Sequence, residues 1–84
     1  MDAHVVWDLV WTSLQGGHYD IDALRTRARD DSRFIEDMGI DSLDLVEFYL
    51  RLEERFNVKL KEDDYARLTS VQAITALLAV KGHA

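Results

Sequence analysis

The segment Asp37-Met38-Gly39-Ile40-Asp41-Ser42-Leu43-Asp44-Leu45-Val46-Glu47 sets a glycine-containing loop directly before an acidic, amphipathic helix that opens at a serine. Onward from Ser42 to Phe56, residues Leu45, Phe48, Tyr49, Leu52 and Phe56 recur at i, i+3, i+4, i+7 and i+11, which gathers them on one buried helical face. Leu43, Val46 and Leu50 make a second apolar row on an adjoining face, accompanied by Asp44, Glu47, Glu53 and Glu54. Such a row rimmed by one sign of charge suits docking, because apolar atoms gain by leaving water while the charges steer a partner of opposite sign. Gly39 lets the preceding loop turn, and either Asp41 or Ser42 supplies an oxygen able to cap the helix.

On the N-terminal side, Val6, Leu9, Val10, Ser13 and Leu14 mark a helix over residues Ala3 to Leu14, with Trp7 and Trp11 one turn apart beside the stripe. Gln15-Gly16-Gly17-His18 then supplies the tolerance of positive φ at which helices commonly end. From Tyr19 to Asp41 the apolar residues Ile21, Leu24, Phe34, Ile35, Met38 and Ile40 are interrupted by charges, so this stretch reads as a long loop pinned by its apolar side chains. Asp22 to Arg27 has the makings of a turn or two of helix. On the C-terminal side Asn57-Val58 ends the central helix, and Glu62 to Leu68 is a short helix with acids in its first turn. Thr69, with Gln72 three residues on, reads as the cap of a last helix whose stripe is Val71, Ile74, Leu77 and Leu78. No strand alternation or internal repeat competes, so the predicted architecture is all-α: a four-helix bundle with a long first loop and a short third helix.

Eighty-four residues with 48% hydrophobic content suffice for one core and a single domain over 1–84. The chain contains no cysteine, and His4, His18 and His83 are too scattered to form a metal site by spacing. A formal charge of -6 opposes nucleic-acid binding and favours partners with basic surfaces. No apolar run is long enough for membrane insertion and no basic leader precedes Val5, so a cytoplasmic chain is expected.

A catalytic serine needs a neighbouring base oriented by a third group. His18 is the only histidine near Ser42 in sequence, and nothing marks an oxyanion hole. Asp30, Asp31, Asp37 and Asp41 fail the calcium-loop template, because no glycine holds the turn position after an opening aspartate. Trp7 and Trp11 are expected in the core or at its edge rather than as a ligand platform.

The chain resembles the acyl carrier protein family. The resemblance runs through Phe34-Ile35-Glu36-Asp37-Met38-Gly39-Ile40-Asp41-Ser42-Leu43-Asp44-Leu45-Val46-Glu47-Phe48, and continues in Leu52-Glu53-Glu54-Arg55-Phe56 and Leu68-Thr69-Ser70-Val71-Gln72. It implies a carrier, not an enzyme, in which Ser42 receives a phosphopantetheine arm from coenzyme A and the arm's thiol bears acyl groups as thioesters, in fatty-acid, polyketide or related biosynthesis. The helix start suits the arm's phosphodiester, since unpaired N–H groups and the positive dipole end favour an anion. Asp41 and Asp44 oppose it and read better as contacts for basic enzymes.

The docking residues implied are Asp41, Leu43, Asp44, Val46, Glu47, Leu50, Glu53 and Glu54, and the partners a phosphopantetheinyl transferase and acyl-loading and acyl-processing enzymes. A free-standing monomer fits a carrier that visits several of them. The lining of an acyl cavity would include Leu45, Phe48, Tyr49, Leu52, Leu68, Val71 and Ile74. Tyr49 is bulkier than the aliphatic residue frequent there, which implies a narrowed cavity. Arg51 and Arg55 reduce the acidity of the docking face. An aminoacyl, peptidyl or D-alanyl carrier, and an arm-free helical adaptor using the same acidic face, are the alternatives.

Overall fold

The computed structural model describes residues 3–81 and resolves them into five helices: α1 (Ala3–Leu14), α2 (Ile21–Arg27), α3 (Ser42–Phe56), α4 (Glu62–Arg67) and α5 (Val71–Val80). His83 lies outside the described residues. Among the described residues there is no strand, and α1 packs against both α3 and α5. The four expected helices are all present, with α2 added inside the first connection.

The two longest helices each have a physical stop. In α1, Val6, Val10 and Leu14 succeed one another at i, i+4 and i+8 and are almost fully buried, and the helix gives way at Gly16, whose φ of 82° costs a residue without a Cβ little. In α3 the buried face is Leu45, Phe48, Tyr49 and Leu52. That helix closes on Asn57, which takes the left-handed conformation at φ 51° and returns its N–H to the Glu53 carbonyl. Phe34, Leu52, Leu68, Val71, Ile74 and Leu78 complete the sealed centre.

Two features depart from the sequence reading. The first is α2, where the turn or two of helix anticipated over Asp22 to Arg27 forms as a capped helix of 7 residues within a stretch that otherwise reads as a loop. Asp20 caps it by accepting the Ala23 N–H at 3.1 Å, and Leu24 anchors it in the core. A single fully buried side chain leaves almost no periodicity to read. The second is the start of α5, where Ser70 and not Thr69 is the cap: Ser70 Oγ accepts the Ala73 N–H at 3.2 Å. Thr69 lies before the helix, and its carbonyl accepts the Phe34 N–H at 2.8 Å.

That bond is one of several that fasten the first connection. The Gln72 N–H donates to the Asp30 carbonyl at 2.8 Å, Trp7 Nε1 donates to Asp30 Oδ1 at 2.7 Å, and Arg27 Nη1 donates to the Asp37 carbonyl at 3.1 Å. The Trp7 and Trp11 rings stack at 5.1 Å, with the Arg25 guanidinium 5.5 Å from the Trp11 ring centre. Trp11 is core and Trp7 its half-buried edge.

Candidate functional site

Ser42 is the first residue of α3 and is exposed. The cap is made by Asp41, whose Oδ1 accepts the Leu43 N–H at 3.1 Å, so the Ser42 hydroxyl is not engaged in capping. The loop before it is shaped by Gly39 at φ 71° and by Asp37, whose Oδ2 accepts the Arg33 N–H at 2.8 Å. That backbone bond, assisted by the nearby Arg33 charge, holds the Asp37 carboxyl below the usual carboxylate range.

The second apolar row of α3 is at the surface: Leu43 is 78% exposed, and Val46 and Leu50 are each 54% exposed. Glu47 and Glu54 stand exposed beside it, and Glu47 Oε1 accepts from Arg51 Nη2 at 3.3 Å. Two of the anticipated docking acids also have partners within the fold. Asp44 is half-buried and accepts the Tyr19 hydroxyl through Oδ2 at 2.6 Å. Glu53 Oε2 accepts the Leu60 N–H at 2.8 Å, tying the end of α3 to the segment before α4. Spacing on one helix places a carboxylate on a face, but it does not reveal a donor brought in from another element.

Beside α3 lies a cavity of about 160 Å³. Phe34, Leu45 and Tyr49 supply its buried wall, Tyr65 is half-buried, and Ile35, Glu36, Ala66 and Thr69 form the exposed rim. Of the residues anticipated as lining, Leu45 and Tyr49 are here. Phe48, Leu52, Leu68, Val71 and Ile74 do not line it; they are packed into the sealed core. The Tyr49 hydroxyl donates to the Leu68 carbonyl at 2.7 Å, and its ring lies 5.1 Å from that of Tyr65. Burial, with a smaller contribution from Tyr65, pushes the Tyr49 phenol up to about 12. Phe34, Tyr65 and the rim escaped the sequence reading, because the cavity is closed by a turn and a short helix that periodicity on α3 does not locate.

Among the described residues no group of three or more His, Asp or Glu is arranged to hold a metal ion, and no helix is long and apolar enough to cross a membrane. His18 stacks on Tyr19 at 4.4 Å, and no hydrogen bond joins it to Ser42 among the described residues.

Comparison with known proteins bears directly on this helix start. A family model described as the phosphopantetheine attachment site matches residues 21–78. The acyl carrier protein of Bdellovibrio bacteriovorus is 36% identical over 58 residues, which are 69% of this chain and 74% of that one. That of Chloroherpeton thalassium is 33% identical over 67 residues, 80% of this chain and 75% of that one. The chain belongs to the acyl carrier protein family. An acyl carrier protein of Sulfurovum is 42% identical over a shorter stretch of 43 residues, 51% of this chain and 57% of that one.

Acyl carrier proteins are carriers rather than catalysts, and their prosthetic group is covalently attached phosphopantetheine. The residues of this chain fit such a group, for α3 begins with an exposed primary hydroxyl that its own cap leaves disengaged. As a member of the acyl carrier protein family, the protein works with a phosphopantetheinyl transferase and with acyl-processing enzymes. The working thiol of the family belongs to the prosthetic group, in keeping with a chain that contains no cysteine.

Proposed function

We propose that Ser42 carries the phosphopantetheine arm and that the protein presents thioester-linked acyl intermediates to enzymes of fatty-acid, polyketide or related biosynthesis. The observation that carries this reading is the exposed Ser42 hydroxyl at the start of α3, with Asp41 making the cap in its place. When bound, the group supplies a thiol on a flexible tether. The chain supplies the attachment hydroxyl, the helix start that favours the phosphodiester anion, and a surface for partners.

That surface consists of exposed Leu43, Val46 and Leu50 with Asp41, Glu47 and Glu54, and its partners carry basic residues around an apolar patch. Asp44 and Glu53 brace the helix that presents it.

The cargo is short. A cavity of about 150 Å³ takes one benzene molecule, so the 160 Å³ beside α3 has room for about six carbon atoms. Tyr49, fixed by its bond to the Leu68 carbonyl, blocks deeper entry. A longer chain stays at the surface, where a partner enzyme reaches it.

Intact-protein mass spectrometry before and after incubation with coenzyme A and a broad-specificity phosphopantetheinyl transferase tests the assignment. One arm gained by the wild type and none by a folded Ser42→Ala variant is expected. An adduct retained in Ser42→Ala, or no gain by the wild type beside a modified control carrier, would overturn it.

A further inference from the structure

The Tyr19 hydroxyl stands between the two residues that bracket the attachment turn. It accepts the Asp41 backbone N–H at 2.8 Å and donates to Asp44 Oδ2 at 2.6 Å. Asp41 is the N-cap of α3 and Asp44 its third helical residue. These are the two positions that a capping box joins directly, with the side chain at the third position reaching back to the N-cap N–H. In α3 a phenol is spliced into that link.

The same molecule shows that the splice is not needed to start a helix. At α4, Asp64 occupies the equivalent position and its Oδ2 accepts the Lys61 N–H unaided at 2.9 Å. An aspartate therefore closes the box without help. What Tyr19 adds is a tether from outside the helix, because it belongs to the turn after α1, 22 residues from Asp41 and 25 from Asp44 in sequence. That turn is itself braced: the His18 ring stacks on Tyr19 at 4.4 Å, and a Cβ on Gly17 would lie 3.3 Å from the Tyr19 ring.

We infer that Tyr19 is a positioning residue for attachment of the arm, holding the Asp41 to Asp44 turn, and with it the Ser42 hydroxyl, in one orientation relative to the body of the protein. The inference rests on Ser42 being the attachment residue. A reacting hydroxyl on a freely fraying helix end adopts the attack geometry in only a fraction of encounters, whereas one on a clamped turn is oriented in advance. The clamp also fixes the Asp44 carboxylate in a charge-assisted bond, which limits how closely that charge approaches a phosphodiester on Ser42. Burial, and then the bond to Asp44, raise the Tyr19 phenol above its ordinary value, so it remains a donor throughout the neutral range.

Tyr19→Phe removes the hydroxyl and keeps the ring. Single-turnover transfer of phosphopantetheine from coenzyme A should show the saturating rate falling about three- to tenfold, less than the roughly hundredfold loss a 1 Å misplacement can bring. The half-saturating concentration should stay within twofold. In the protein without its arm, amide hydrogen exchange at residues 41–44 should speed up.

Leu78→Ala, a cavity in the core of α5, should lower the melting temperature without changing the saturating rate, which separates positioning from loss of stability. Should Tyr19→Phe fail to fold, Asp44→Asn weakens the same link from its other end, and the same split is expected. A wild-type saturating rate with wild-type exchange at residues 41–44 would overturn the inference. So would a rise in the half-saturating concentration alone, which would make Tyr19 a transferase contact. A wild type that gains no arm on Ser42 would instead defeat the attachment assignment, and the inference with it.

Discussion

Removing the Tyr49 hydroxyl tests the reading that this side chain is a fixed wall. Tyr49 is 5% exposed, and its phenol donates at 2.7 Å to the carbonyl of Leu68, itself 1% exposed. Tyr49→Phe keeps the ring against Phe48 and Tyr65 but deprives that carbonyl of this donor. Losing a buried bond of this kind costs about 1–2 kcal/mol, combining the net bond with partial desolvation of the stranded acceptor. At about 4–8 °C per kcal/mol for a domain of this size, the melting temperature should drop by about 4–16 °C. Urea denaturation followed by circular dichroism should show a lower midpoint with an unchanged slope, as for a change in stability without a change in the surface exposed.

The loss also has a pH signature. The folded-state pKa of Tyr49 is raised from 10.0 to about 12, so the stabilisation belongs to the protonated phenol. It is fully present below pH 10 and disappears as the pH rises through about 12. The gap between wild type and Tyr49→Phe should therefore be constant to pH 10 and shrink above it. A variant as stable as the wild type, or a gap that widens above pH 10, would refute the fixed-wall argument.

Asp41→Ala should destabilise the protein by about 1 kcal/mol through loss of the α3 cap, read as a lower urea midpoint. Val46→Ala and Leu50→Ala, both at exposed positions, should change stability by no more than about 0.5 kcal/mol. In transferase assays they should raise the half-saturating concentration with little effect on the saturating rate, and an unchanged half-saturation in both would remove this row from the docking surface.

How far the sequence could be read depended on how far apart the interacting residues lie. The bounds of α1 and α3 were legible because each has several buried residues at helical spacing and a recognisable stop, the glycines after Leu14 and Asn57 after Phe56. Helix α2 offers one buried residue, Leu24, and its stability comes from a cap and from packing that local sequence does not display. The shift from Thr69 to Ser70 at the start of α5 follows from a bond to Phe34, a residue more distant in sequence than any capping rule considers. At the site, Ser42 and the exposed apolar row could be read from one helix. Tyr19 could not, since a tyrosine in a glycine turn gives no sign of the carboxylate it meets. Nor could the engagement of Asp44 and Glu53, which look like free acids until the Tyr19 and Leu60 donors are placed beside them.

The stacked indoles of α1 have a practical consequence. Trp7 and Trp11 are the only two tryptophans of the chain, so all of its indole emission comes from one helix. Both report on the first connection: Asp30 holds the Trp7 nitrogen at 2.7 Å, and the Arg25 guanidinium sits 5.5 Å from the Trp11 ring centre. Any perturbation that lifted that connection would exchange the carboxylate and the cation for water, and the wavelength and anisotropy of the indole fluorescence would change together. The protein thus carries an intrinsic, label-free optical gauge of whether the segment leading to Ser42 is seated, usable at micromolar concentration and in the presence of enzymes whose own tryptophans have been replaced.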